Sequence, residues 1–94
     1  MFVISLHYKS LEDVDRALAD HRAFLDKYYA DETFNCSGGK IPRTGGVILA
    51  RKVSRERLEE IIKEDPFYIQ GLADYKITEF AASKHLDKFK DLTD

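Results

Sequence analysis

Apolar and polar residues alternate at the start of the chain. Phe2, Ile4, Leu6 and Tyr8 interleave with Val3, Ser5 and His7, a period of two that predicts a strand over residues 2–8. Ser10 then reads as a helix N-cap, with Glu12 and Asp13 in the first turn, where acidic side chains meet the positive end of the helix dipole. From there the period lengthens. Leu11, Val14, Leu18, Leu25 and Tyr28 recur at steps of three, four, seven and three, predicting a helix that runs to Ala30. His21 fills the seven-residue step in phase, where an apolar side chain would be expected.

Thr33 to Cys36 is a short β-prone run leading into SGGKIPRTGG, read as a glycine- and proline-rich loop over Ser37 to Gly46. The β-branched and aliphatic stretch VILARKV follows as a strand. Ser54 caps a second helix with Leu58, Ile61 and Ile62 as its buried stripe, and Pro66 stops it. PFYIQGLADY holds a turn with one short helix ended by Gly71; Tyr75 to Phe80 is the last strand. The order βαββαβ implies an α+β, ferredoxin-like fold: an antiparallel sheet with two helices on one face. The strands carry apolar residues on both faces (Val3 against Ile4, Ile48 against Leu49, Ile77 against Phe80), so a homodimer packed sheet to sheet is expected. One domain spans residues 1–82, and 83–94 form a polar tail.

Composition narrows the function. Fifteen basic against seventeen acidic residues give a net charge of −2, which excludes the basic face of a nucleic-acid binder. The apolar stretch GGVILA is far short of the ~20 residues that span a bilayer. MFVISLHYKS lacks the basic and long apolar regions of a signal peptide, so a cytoplasmic protein is expected. The lone Cys36 makes neither an internal disulfide nor a zinc site, and no metal or cofactor is expected; its strand position reads as buried and inert.

The candidate chemistry centres on His21. It is either a satisfied core histidine, bonded to a backbone carbonyl, or a proton carrier. Asp65 continues the Leu58, Ile61, Ile62 stripe, facing the same sheet from the neighbouring antiparallel helix. A carboxylate on one ring nitrogen fixes the tautomer and makes the other nitrogen a better base. Asp65 before Pro66 is equally a standard N-cap for a short helix, and its two oxygens leave room for both roles. The four-glycine loop, with Ser37, Gly38, Lys40 and Arg43, reads either as a flexible connection or as an anion pocket of backbone N–H groups and positive charge. Phe67 and Tyr68 are placed to wall such a pocket. His7 falls on the sheet's second face, and His85 has no role.

The pattern H-R-x-F-L at His21 to Leu25, the Ser37-Gly38 loop, GGVILA, and D-P-F followed by GL and TEF resemble, as an ordered set, the YciI-like (YCII-related) proteins. The resemblance runs from the first strand to about Phe80. It implies a ferredoxin-like dimer with a His21–Asp65 site lined by Ser37 and Gly38. One branch of that family removes HCl from chlorinated hydroxyhydroquinones, and its fold is shared with muconolactone isomerases. Many members carry Ser-Gly-Pro where this chain has Ser37-Gly38-Gly39, which relaxes the loop. Two functions follow as expectations. One is a cofactor-free proton-transfer isomerase or lyase on a small organic molecule, with His21 as base and acid, Asp65 orienting it and Arg43 steadying an oxyanion. The other is a non-catalytic module that binds a small anion, with a structural His–Asp hydrogen bond.

Overall fold

Strand β1 (Phe2–Tyr8) runs through the middle of the sheet, and the rest of the chain is built around it. A computed structural model describes all 94 residues. After β1 come α1 (Leu11–Arg16), α2 (Leu18–Ala30), β2 (Phe34–Gly39), β3 (Gly45–Ala50), α3 (Arg55–Ile62), α4 (Pro66–Ile69) and β4 (Ala73–Glu79), then a 3-10 helix over Asp87–Leu92. The antiparallel sheet has the order β2-β3-β1-β4, the ferredoxin-like arrangement expected from the element order. No helix is long and apolar enough to cross a membrane.

Alternation along β1 sets the core. Phe2, Ile4 and Leu6 are buried under the helices. Leu58, Ile61 and Ile62 of α3 and Phe67 of α4 close over the sheet beside Val14, Phe24 and Tyr28. Phe24, Tyr28 and Phe34 meet at ring separations of 5.5–5.8 Å, a geometry that adds to the area each ring buries.

Four expectations need correction. The single helix to Ala30 is two, broken at Ala17, whose N–H is shared between the carbonyls of Asp13 and Val14. The break resets the phase: the buried set in α2 is His21, Phe24 and Tyr28, while Leu18 and Leu25 are half-buried and Leu11 is exposed. Half of the supposed ten-residue loop is strand. Ser37, Gly38 and Gly39 pair with Ile48, Val47 and Gly46, and only Lys40 to Thr44 remain as the connection. Cys36 is exposed, because a register irregularity between Phe34 and Cys36 turns it to the far face. Finally, β4 starts at Ala73 and stops at Glu79, so Phe80 lies beyond the sheet instead of on its second face. That face carries Val3, Val47 and Leu49, all half-buried, flanked by Ser5, His7, Lys76 and Thr78.

The tail is pinned. Asn35 donates to the Leu92 carbonyl at 2.8 Å, Arg51 donates to the Asp91 carbonyl, and Asp94 pairs with the N-terminal ammonium.

The closest backbone approach in the sheet is at Gly45, where an added Cβ would lie 1.8 Å from the Leu6 carbonyl oxygen. Gly38 has open space in the same direction. Gly45→Ala must therefore push β3 off β1, at a cost of about 1–3 kcal/mol or more, while Gly38→Ala costs nothing by sterics. Urea melts of the two variants check this; equal midpoints would contradict it.

Candidate functional site

The chain between α3 and α4 is shaped to deliver a carboxylate. After Ile62 two tight turns follow, with Glu64 N–H donating to the Ile61 carbonyl and Asp65 N–H to that of Ile62. Asp65 then turns extended (φ −68°, ψ 124°), as a residue before proline must. Its Oδ1 accepts the Phe67 N–H at 3.0 Å, capping α4, with Pro66 at the first helical position. Gly71, at φ 65°, ends that helix with a Schellman arrangement: Leu72 N–H reaches the Phe67 carbonyl and Gly71 N–H the Tyr68 carbonyl. The turn feeds β4 back under Asp65, where Tyr75 donates its hydroxyl to Oδ2 at 2.6 Å.

His21 completes the cluster. Its Nδ1 lies 2.8 Å from Asp65 Oδ1. Asp65 is fully buried, so an ionised carboxylate there needs every oxygen satisfied. Three donors on α2, α4 and β4 do that, and a carboxylate, being acceptor-only, requires the proton of the His21 pair to sit on Nδ1. The imidazole also stacks on Phe67, with centroids 3.9 Å apart and planes 6° off parallel. Both readings of Asp65, N-cap and histidine partner, therefore hold in one geometry, although Asp65 lies past the end of α3 rather than on it.

The other ring nitrogen is different. Nε2 has no hydrogen-bond partner in the protein, yet it is not sealed from solvent. His21 lines a cavity of about 530 Å³, within the range that takes small molecules. Leu18 and Leu25 of α2 and Ile48 of β3 give it apolar walls.

Of the other expected residues, Ser37 and Gly38 line this cavity, and so does Arg43. Ser37 Oγ is engaged with the Tyr29 hydroxyl at 2.5 Å, and Arg43 donates to Asp15 at 2.6 Å, so neither is free as drawn from the sequence. The glycines are strand residues and not a loose loop: Gly38 and Gly39 sit opposite Val47 and Gly46 in the β2–β3 ladder, and Gly45 sits opposite His7 of β1. Lys40 stands outside the cavity. Phe67 backs the imidazole rather than walling the cavity, and Tyr68 faces the other side, 5.8 Å from the Tyr75 ring. His7 and His85 are exposed and do not line the cavity.

Three cavity residues and one partner escaped sequence reasoning. Tyr8 continues the core-facing alternation of β1 to the cavity wall, and that alternation was the available signal. Burial raises its hydroxyl above the ordinary phenol range, with Arg43 opposing. Arg22 and Asp15 come in on the helices; Arg22 has no carboxylate partner. Tyr75 gave no signal, since only the path of β4 brings it to Asp65. No group of three or more potential metal ligands converges anywhere.

The model of the YCII-related domain matches residues 1–81. The chain belongs to the YCII-related family. Among solved structures, this YCII-related protein is similar to 5-chloro-2-hydroxyhydroquinone dehydrochlorinase from Burkholderia phenoliruptrix AC1100, in complex with 2,5-dihydroxybenzoquinone. The two share 20% identity and a TM-score of 0.75, over 93% of this chain and 100% of the other, which establishes a common fold. No functionally curated protein matches the chain.

Tyr75 gives the site a pH signature. Burial, then the Asp65 charge and hydrogen bond, push its hydroxyl far above the phenol value of 10.0. A group raised on folding contributes stability that is intact below its unfolded value and lost as pH climbs beyond it. Stability therefore falls from about pH 10 upward, and Tyr75→Phe falls less steeply while starting about 1–3 kcal/mol lower at neutral pH. Urea titrations across that range check the crossover; parallel curves would contradict it.

Proposed function

We propose that this YCII-related protein is a cofactor-free proton-transfer enzyme, an isomerase or a lyase of the dehydrochlorinase kind, acting on a small ring compound. The observation that carries this reading is the asymmetry of His21: Nδ1 is held by Asp65, while Nε2 is unpartnered at a cavity. A histidine serving only as structure, as in the binding-module alternative, would have both nitrogens satisfied by protein. In the proposed cycle Nε2 removes a proton from a carbon made acidic by a neighbouring carbonyl. The electron pair moves into that carbonyl as an enolate, and Asp65 stabilises the resulting imidazolium. For isomerisation Nε2–H returns the proton to a different carbon. For elimination the enolate re-forms its carbonyl and expels a leaving group as the anion. Ser37 and Gly38 shape the cavity, and the positive side chains at its rim are Arg22 and Arg43, the latter already neutralised by Asp15.

The ligand of the structural neighbour, 2,5-dihydroxybenzoquinone, is a flat oxygenated ring of the kind this cavity suits. The reading also includes self-association through the sheet face bearing Val3, Val47 and Leu49. A sedimentation mass of 10.8 kDa at all concentrations would exclude that part. The exposed free thiol of Cys36 fits a reducing, cytoplasmic setting.

Chlorinated hydroquinones and unsaturated lactones form the test panel, followed by chloride release and by deuterium uptake from solvent. Turnover of at least one compound is expected, with His21→Gln lowering kcat by about 10²–10⁴-fold. Ligands that bind without exchanging a proton, in wild type and variant alike, would sink the enzymatic reading in favour of the binding module.

A further inference from the structure

Two aromatic rings share the inner wall of the cavity. His21 stacks on Phe67, and Tyr8 meets the same phenyl ring edge-on, with centroids 5.8 Å apart. Tyr8 is the last residue of β1. Its backbone is fixed by pairing with Ala73 and by its N–H to the Thr44 carbonyl at 2.9 Å. Its hydroxyl ends over Gly46, where an added Cβ would come within 3.4 Å of it. A larger residue at Gly46 would therefore crowd this oxygen.

No protein group bonds the Tyr8 hydroxyl, and the atom is not sealed off. The other donors around the cavity are differently placed: Ser37 is bound to Tyr29 and Arg43 to Asp15, while Arg22 is exposed on α2. A half-buried phenol aimed at an open cavity with no partner of its own is a donor left for a ligand.

We propose that Tyr8 is a catalytic residue, its O–H donating to the substrate oxygen on which negative charge develops as His21 Nε2 takes the proton. This rests on the proton-transfer reading of the site. In the step, the C–H bond breaks, its proton goes to Nε2, and its electron pair forms the enolate whose oxygen accepts from Tyr8. The phenol keeps its proton throughout, consistent with the upward push that burial gives it. The substrate class is thereby narrowed to ring compounds with a carbonyl or enolisable hydroxyl conjugated to the acidic carbon. Compounds whose only polar group is a remote carboxylate are excluded.

The probe is 4-nitrophenolate, a flat ring whose phenolate oxygen stands in for the enolate oxygen. It is titrated into wild type and Tyr8→Phe while the His21 ring signals are followed by NMR. Wild type binds it with shifts at His21, and Tyr8→Phe binds about ten- to hundredfold more weakly. The melting temperature is unchanged, because the lost O–H has no protein partner. Binding within twofold of wild type, with His21 still shifting, overturns the role of Tyr8 and leaves that of His21 standing. Failure of the wild type to bind overturns it as well. In the turnover panel, a loss in His21→Gln without one in Tyr8→Phe counts against Tyr8 alone. Full activity in both counts against the parent reading.

Discussion

A carboxylate with no exposure to water has to find its hydrogen bonds inside the protein, and Asp65 finds three on three different elements. The Phe67 N–H fixes the start of α4, the Tyr75 hydroxyl ties β4 to the turn, and the His21 ring ties in α2. Removing Tyr75 leaves Oδ2 with no donor, and removing both donors to Oδ1 would leave that oxygen unsatisfied. The cost of that, about 1–3 kcal/mol for each unsatisfied group, is a sizeable fraction of what holds a small domain together. The cluster thus aligns the two halves of the fold and sets the orientation of one imidazole at the same time.

Orientation is where structure passes into chemistry. Phe67 stacking prevents the ring from tilting, and Asp65 prevents it from flipping, so the unbonded nitrogen has one direction to face. The edge hairpin β2–β3 supplies the opposite wall, and Gly46 leaves the room that the Tyr8 hydroxyl occupies. Of the two arginines at the mouth, Arg43 is paired with Asp15, a half-exposed pair that contributes little to stability, and Arg22 has no carboxylate partner. Under the proposed function, an imidazole base, a phenol donor and apolar walls suit a reaction whose charge appears only in its course.

Much of this was legible in the chain. Period two in β1, the Ser10 and Ser54 caps and the Leu58, Ile61, Ile62 stripe specify the elements. Their order leaves the ferredoxin-like arrangement as the economical one. His21 in a leucine position and Asp65 before Pro66 are local anomalies, and local anomalies can be read. Other features were not legible. The break at Ala17 carries no breaker residue, so the phase of the buried face was misjudged. Glycines in the hairpin look alike whether they are paired or loose. The partners Arg43–Asp15, Ser37–Tyr29 and Asp65–Tyr75 depend on how strands and helices stack, which pattern does not encode. Tyr8 entered only as the last member of the β1 alternation, and alternation reports a face, not where a cavity opens on it.

The central claim is that Asp65 holds His21 in one tautomer with Nε2 open. Long-range proton–nitrogen NMR of the imidazole in wild type and Asp65→Asn reads it directly. The account predicts a protonated Nδ1 and a lone pair on Nε2 in the wild type, with that preference lost in the variant. A wild-type ring protonated on Nε2, or a pattern indifferent to the loss of Asp65, would contradict it.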